Sequence, residues 1–329
     1  MSDVRIGVIG AGSAGARHVA AYRKVPGVHI TAILEPDARR GAPLAAEAAA
    51  QHFTELAEQF WDAVDAVSVC SPHALLAEYA LAAITREKHL LLEKPMALTL
   101  ADADAIIGAA ERAGVVLMVG FVHRFRVEIA EAHRQIANGT IGKPTFGVEH
   151  MISGGNPTPG WIWQKSLAGG GVLLYNGIHG LDRLRWLMDS EATEVYARAS
   201  TAVHDADVED IVVATISYAN GASASFVQHI APYPLPAGWR SEIYGTQGAM
   251  IVAADQTVTV SDYHRQVTMN PDRDDRFLSE MREFIGALQE RREPSVTGAD
   301  GRAALATALA LYESVESGNP VAIAATVQA

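Results

Sequence analysis

The 329-residue sequence predicts a doubly wound, parallel α/β domain followed by an α+β domain with a mostly antiparallel sheet. Three observations carry that prediction. Over roughly the first 120 residues, short apolar runs alternate with helical stretches, so the strands cannot pair through tight turns and form a parallel sheet. A glycine-rich turn, Gly10 to Gly15, separates the first strand from the first helix. After Phe121 the rhythm changes to strands joined by turn signals such as Ala219-Asn220-Gly221 and Gly245-Thr246-Gln247-Gly248.

In order, Val4–Ile9 reads as a strand, Ala14–Lys24 as a helix stopped by Pro26-Gly27, and Val28–Leu34 as a strand. Asp37–Ala50 is alanine-rich and helical, Ala66–Cys70 is a strand, and a helix follows from His73 to Arg86. His89–Leu92 is a strand closed by Pro95. Thr99 caps a helix through Arg112 with Gly114 as its stop, and Val115–Gly120 is a further strand. Beyond it, partial alternation marks strands at 143–151, 194–201, 210–218, 222–229, 240–244, 249–252 and 257–260. Helices are expected at 127–138, 177–188, 277–291 and 301–317. The division is placed at 1–121 and 122–329, and no internal repeat or long linker interrupts it.

Composition excludes several classes. With 26 Lys+Arg against 38 Asp+Glu the formal charge is −12, which repels nucleic-acid phosphates and anionic lipid surfaces. Nucleic-acid and membrane partners are therefore not expected. The longest apolar stretch, Val115 to Val122, is far short of a bilayer span. The single cysteine, Cys70, lies in an apolar run and reads as a small buried hydrophobe. With no signal segment evident before Val4, a reducing, cytoplasmic location is expected. No His-Glu-x-x-His motif or cysteine cluster suggests a metal, and none is expected.

Gly10-Ala11-Gly12-Ser13-Ala14-Gly15 has the pattern of a dinucleotide-binding turn. The first glycine allows the tight turn, the second lets a pyrophosphate approach the backbone, and the third allows close helix packing. The helix N-terminus opened by Ser13 and Ala14 favours negative charge. Glu35, twenty residues after Gly15 and closing the second strand, is placed to accept hydrogen bonds from ribose hydroxyls. It would repel a 2′-phosphate, so NAD is expected over NADP. Arg39 and Arg40 lie nearby and offer the opposite option, although both also suit a solvated helix face. His18 reads as a packing or hydrogen-bonding residue.

Two further stretches draw notice. Glu93-Lys94-Pro95 ends a parallel strand on the edge where ligands gather in open α/β sheets. Taken alone, it reads as an ordinary charged pair at a strand end. In the run Ala168 to Asp182, three successive glycines are costly unless something approaches the main chain. Tyr175, His179 and Asp182 are spaced to share one face of an α-helix. His179 suits proton transfer near neutral pH, with Asp182 orienting it, or is a satisfied core histidine.

Together these stretches resemble the Gfo/Idh/MocA oxidoreductase family over essentially the whole chain. The match runs through the glycine turn with His18, Ser71-Pro72, Glu93-Lys94-Pro95, Arg124-Phe125, Gly169-Gly170-Gly171 and Gly177-Ile178-His179 with Asp182. It continues through Gly298-Ala299-Asp300-Gly301 and Gly318-Asn319-Pro320-Val321. The resemblance implies a nicotinamide-binding Rossmann domain, with Ser71, Pro72, Glu93 and Lys94 also against the cofactor. It implies an open-faced second sheet that joins subunits into homodimers or homotetramers. The family's catalytic lysine and histidine carry over to Lys94 and His179. Its usual aspartate four residues earlier is replaced by Tyr175, and Leu76 stands where many relatives place a histidine, with His73 nearby.

The expected reaction is reversible oxidation of a secondary alcohol on a sugar, cyclitol or related polyol. His179 would take the hydroxyl proton, Lys94 would hold the oxygen, and Tyr175 would orient it or relay the proton. His123, Arg124, Trp161, Trp163 and Asn176 are expected to line the substrate cleft. The two tryptophans are taken to face one side of an extended segment, where an aromatic face suits a sugar ring. Loops around 150–165 and 229–240 are expected to set specificity. Two alternatives remain open: an NAD-dependent glycosidase using transient oxidation, and a non-catalytic dinucleotide-sensing regulator.

Overall fold

The computed structural model describes residues 3–155, 158–235, 238–272 and 274–323. The chain forms two compact units. One runs up to Val122 and takes back Asp274–Arg302; the other begins at His123 and holds the remainder. The fold therefore differs from a single cut after residue 121.

The first unit begins with β1 (Val4–Ile9), α1 (Ser13–Tyr22), β2 (Val28–Leu34), α2 (Ala38–Ala48), β3 (Gln51–Phe53) and α3 (Glu58–Asp62). It continues with β4 (Ala66–Val69), α4 (His73–Thr85), β5 (His89–Leu92), α5 (Leu100–Ala113) and β6 (Leu117–Val119). The strand order is β3-β2-β1-β4-β5-β6, and every neighbouring pair is parallel. All four β4 residues are buried, as are the last four of β1. This explains their continuous apolar runs, since a parallel sheet is covered on both faces. The starts of α2 and α5 and the end of α5 follow their capping residues. Asp37 accepts from the Arg39 amide at the start of α2, Thr99 accepts from the Asp102 amide, and Gly114, with φ 65°, ends α5. The strand β3 was not among those expected; it is three residues long and polar in two of them. The strand order reverses between β1 and β4, the place where open α/β sheets bind ligands.

The second unit contains α6 (Val127–Ala137), β7 (Pro144–Gly154), α7 (Lys165–Ala168), α8 (Ile178–Met188), β8 (Ala192–Ser200) and β9 (Ile211–Tyr218). Then come β10 (Ser223–Ala231), β11 (Gly238–Gly245), β12 (Gly248–Ala253), β13 (Val258–Asp262) and β14 (Gln266–Met269). Next, α9 (Arg276–Glu290) belongs to the first unit, α10 (Gly298–Ser317) starts there and continues into the second, and β15 (Val321–Ala322) closes the second sheet. The return of α9 has a packing reason. Its Met281, Phe284 and Ile285 are buried, Phe277 lies 6.1 Å from the His18 ring, and Asp275 accepts from Lys24.

The second sheet has the order β14-β13-β12-β11-β7-β10-β9-β8-β15, and all its pairs are antiparallel except β7–β10. The helix α8 packs on one face. A Cβ at Gly147 would meet Met188 and Leu184, and one at Gly180 would meet Met151 Sδ at 2.7 Å, so helix and sheet approach closely. The opposite face is open, with Val213 50% and Phe146 42% exposed. Residues 156–157 and 236–237, inside the loops expected to set specificity, lie outside the described residues. Among the described residues no helix is long and apolar enough to cross a membrane.

Candidate active site

The glycine turn lies at the reversal point of the first sheet, and its three glycines have separable reasons. Gly10 has φ 102°, and a Cβ there would fall 2.6 Å from the Cys70 carbonyl. A Cβ at Gly15 would fall 1.9 Å from the Gly10 carbonyl, so α1 packs directly on the turn. At Gly12, by contrast, a Cβ would meet nothing within 4 Å. Gly12 is also the N-cap of α1 and supplies no capping side chain, so the amides of Ser13 and Ala14 open a bare helix N-terminus. Open space before such an end fits a pyrophosphate.

The Glu35 carboxylate is 5% exposed and tied into this turn. Oε2 accepts from the Ala11 amide at 2.9 Å, while Oε1 accepts from the Asp37 amide at 3.1 Å and from Arg40 at 2.7 Å. Arg39 is solvated and bonds Asp37. Ser71 stands just beyond β4, and its buried Oγ has no hydrogen-bond partner among the described residues; Pro72 caps α4. An orphaned hydroxyl beside the open turn is a further feature that a bound dinucleotide would satisfy. Leu76, in α4, is fully buried.

Glu93 and Lys94 follow β5. The Glu93 carboxylate bonds His18 Nε2 at 3.2 Å and the Lys94 amide at 3.1 Å. Cys70 Sγ lies 3.5 Å from His18 Nδ1, so His18 bridges the two. Burial works to raise the Glu93 carboxyl, but the His18 hydrogen bond and the charges of His18 and Lys94 outweigh it and hold it below the usual range. Removal from water lowers the Lys94 ammonium, and Arg17 adds to this while Glu93 opposes it. The Lys94–Pro95 peptide is cis. Glu280, from α9, is fully buried near Glu93 with neither carboxylate oxygen hydrogen-bonded among the described residues. The sequence hid it, because glutamate in an amphipathic helix reads as surface.

In the second unit, the triple glycine answers to the chain's own packing. A Cβ at Gly171 would meet the Glu209 carbonyl at 1.9 Å, and one at Gly170 the Tyr312 hydroxyl at 2.1 Å. The buried Glu209 carboxylate accepts from the Gly171 and Leu173 amides and from Tyr312. After this clamp, Leu173–Gly177 forms a π turn before α8 begins. Tyr175 and Asn176 therefore sit on the π turn rather than on a uniform α face with His179 and Asp182. Single π turns recur at functional sites.

Several of the expected residues have defined neighbours. Tyr175 meets Trp161 edge-on at 6.3 Å. His179, 4% exposed, stacks on His123 with ring centroids 4.2 Å apart and planes 16° apart. Asp182 takes a two-pronged ion pair from Arg124, at 2.9 and 2.5 Å, and Arg124 also lies over Trp186. The segment bearing the tryptophans is a 3-10 turn, Gly160–Trp163, not extended chain. Its indoles diverge accordingly: Trp163 stacks on His204 and donates to Thr158.

Comparison with known proteins identifies the family and the fold. Residues 4–121 match an oxidoreductase family with an NAD-binding Rossmann fold, and residues 129–251 match the GFO/IDH/MocA C-terminal domain. The chain is 32% identical to 1,5-anhydro-D-fructose reductase of Ensifer adhaerens, covering 97% of this chain and 98% of that one. It is 30% identical to myo-inositol 2-dehydrogenase of Thermotoga maritima, covering 95% and 96%. A levoglucosan dehydrogenase solved with NADH has the same fold, with a TM-score of 0.91 at 24% identity over 99% of this chain and 100% of that one. With an NAD-binding domain that opens on Gly10, Gly12 and Gly15 and a matching second domain, the chain belongs to the Gfo/Idh/MocA family of oxidoreductases.

Proposed function

We propose that the protein interconverts a secondary alcohol and a ketone on a sugar, cyclitol or related polyol, with NAD preferred to NADP. The observation that carries this reading is the open, uncapped turn at Gly12 with the Glu35 carboxylate locked beside it. The relatives' named activities, on an anhydrosugar and on an inositol, supply the substrate class. Gly10, Gly12, Gly15 and Glu35 would hold NAD, which would supply a hydride acceptor there.

The chain's own residues do the rest. His179 takes the hydroxyl proton, and its near-complete burial keeps water from competing for it. The Lys94 ammonium holds charge developing on the substrate oxygen. Tyr175 offers a hydroxyl that hydrogen-bonds substrate without adding the negative charge of an aspartate. Trp161, beside Tyr175, gives an aromatic wall to a ring's C–H face, and His123, Arg124, Trp163 and Asn176 complete the substrate surroundings. Ser71, Pro72 and Glu93 line the cofactor side. We further assign a cytoplasmic location and a homodimer or homotetramer joined through the open sheet face bearing Val213 and Phe146.

The test supplies NAD or NADP with a panel of cyclitols, sugars and anhydrosugars and follows reduced-cofactor absorbance. Turnover with at least one polyol, faster with NAD, is expected. Wild-type turnover on that substrate by both Lys94→Ala and His179→Ala would sink the assigned roles. Release of an aglycone without net cofactor reduction would point to glycosidase chemistry instead.

A further inference from the structure

Arg183, on α8, is fully buried, which is unusual for arginine. Its Nη2 pairs with Glu149 of β7, and that carboxylate also accepts from Ser241 at 2.7 Å. Its guanidinium lies over the Trp239 ring at 4.9 Å, with Arg126 over the same ring at 4.5 Å. The remaining Nη1 is directed at Nδ1 of His123, 2.6 Å away. The neighbouring charges are engaged with one another: Arg124 with Asp182, Arg126 with Glu128, and His150 acting on Glu149.

A guanidinium only donates, so His123 Nδ1 must accept, and the ring proton resides on Nε2. Protonating Nδ1 would break this bond and place an imidazolium against a guanidinium. His123 is the ring stacked on His179. Two stacked imidazoliums repel, whereas a neutral ring over an imidazolium attracts it. We propose that Arg183 is a positioning residue that holds His123 neutral, as its Nε2–H tautomer, so that a proton delivered to the stacked pair rests on His179. Glu149 and Trp239 hold the guanidinium in place for this task. The consequence for catalysis rests on the reading of His179 as proton acceptor; the tautomer does not.

The deciding measurement is long-range proton–nitrogen NMR of the wild-type protein labelled at histidine nitrogen, with His123 assigned through His123→Gln. An unprotonated Nδ1 on His123 throughout about pH 8 to pH 5, the range where a free imidazole titrates, is expected. An Nδ1–H tautomer, or titration of His123 within that range, overturns the proposal. A second arm uses Arg183→Met with Glu149→Leu, which removes both buried charges and leaves neither orphaned. In that variant His123 should titrate, and kcat should fall at least about tenfold with KM for NAD nearly unchanged. A folded double variant whose His123 stays neutral across that range also overturns it; if the variant does not fold, the wild-type spectrum decides. Retained turnover in His179→Gln would instead remove the proton-acceptor reading and leave the tautomer result intact.

Discussion

The Glu35 carboxylate and the Ala11 amide meet at 2.9 Å, so the acid that closes β2 is also a strut for the glycine turn after β1. The same carboxylate holds Arg40 at 2.7 Å. On the proposed reading Glu35 would have two effects on cofactor choice: it braces the turn assigned to the pyrophosphate, and it occupies Arg40, the arginine that could otherwise meet a 2′-phosphate.

Glu35→Ala should act on both. Losing charge-assisted hydrogen bonds worth about 1.5–3 kcal/mol each loosens the turn and weakens NADH at least about tenfold. Releasing Arg40 should weaken NADPH less, so the preference for NADH narrows or reverses. Fluorescence titration with each reduced cofactor measures the ratio. An unchanged ratio would mean that Arg40 does not reach the 2′ position.

Gly12 and Gly15 offer a cleaner separation of binding from folding. Gly12 has φ −77°, which alanine adopts freely, and a Cβ there meets no atom within 4 Å. Gly12→Ala should therefore leave thermal stability unchanged, or raise it by up to about 1 kcal/mol, while the new methyl obstructs the dinucleotide. Gly15→Ala drives a Cβ to 1.9 Å from the Gly10 carbonyl and should lower Tm sharply without cofactor present. Calorimetry on the apo proteins, followed by NAD titration, distinguishes the two. Equal stability losses would contradict the assigned division of labour.

Lys94 makes a pH-dependent prediction. Burial lowers its ammonium, so it loses its proton at a lower pH than a free lysine does. If Lys94 acts as the cation on the substrate oxygen, kcat for alcohol oxidation should decline on the alkaline side below about pH 10.4, the free-lysine value. If His179 is the proton acceptor, protonating it should also reduce kcat on the acid side, giving a bell. Lys94→Arg keeps a charge throughout this range. It should reduce kcat yet flatten the alkaline limb, and a limb that persists in this variant belongs to another group.

The first unit was largely legible because β4 and most of β1 are buried and α2 and α5 start at their own caps, Asp37 and Thr99. What escaped has physical reasons. The strand β14 is exposed along nearly all its length, and β15 is two residues long, so neither shows a buried face. The triple glycine signalled a close approach, and Glu209 makes one at Gly171 and Tyr312 at Gly170. The π turn at Leu173–Gly177 has no distinctive composition, so an α spacing was assumed through Tyr175. Arg183 and Glu280 were invisible because a charged residue on a helix reads as solvated, and only the three-dimensional neighbours show otherwise.

Glu280 supplies the last prediction. Two buried carboxyls near one another cannot both ionise, and their environments separate them. Glu93 has His18 and Lys94 and stays charged. Glu280 has burial and the Glu93 charge against it, with only partial relief from Arg276, and its carboxyl is pushed well above the ordinary range. The folded protein thus retains a proton that the unfolded chain releases above about pH 4.3. Since the native state binds more protons, stability is lost as pH rises from there toward the folded-state pKa. Glu280→Gln carries no such proton, so its stability relative to wild type should improve with pH, by up to about 1.4 kcal/mol per unit. Chemical unfolding at about pH 6 and pH 8 reads the change, and a difference that stays constant would show Glu280 to be ionised in the folded protein.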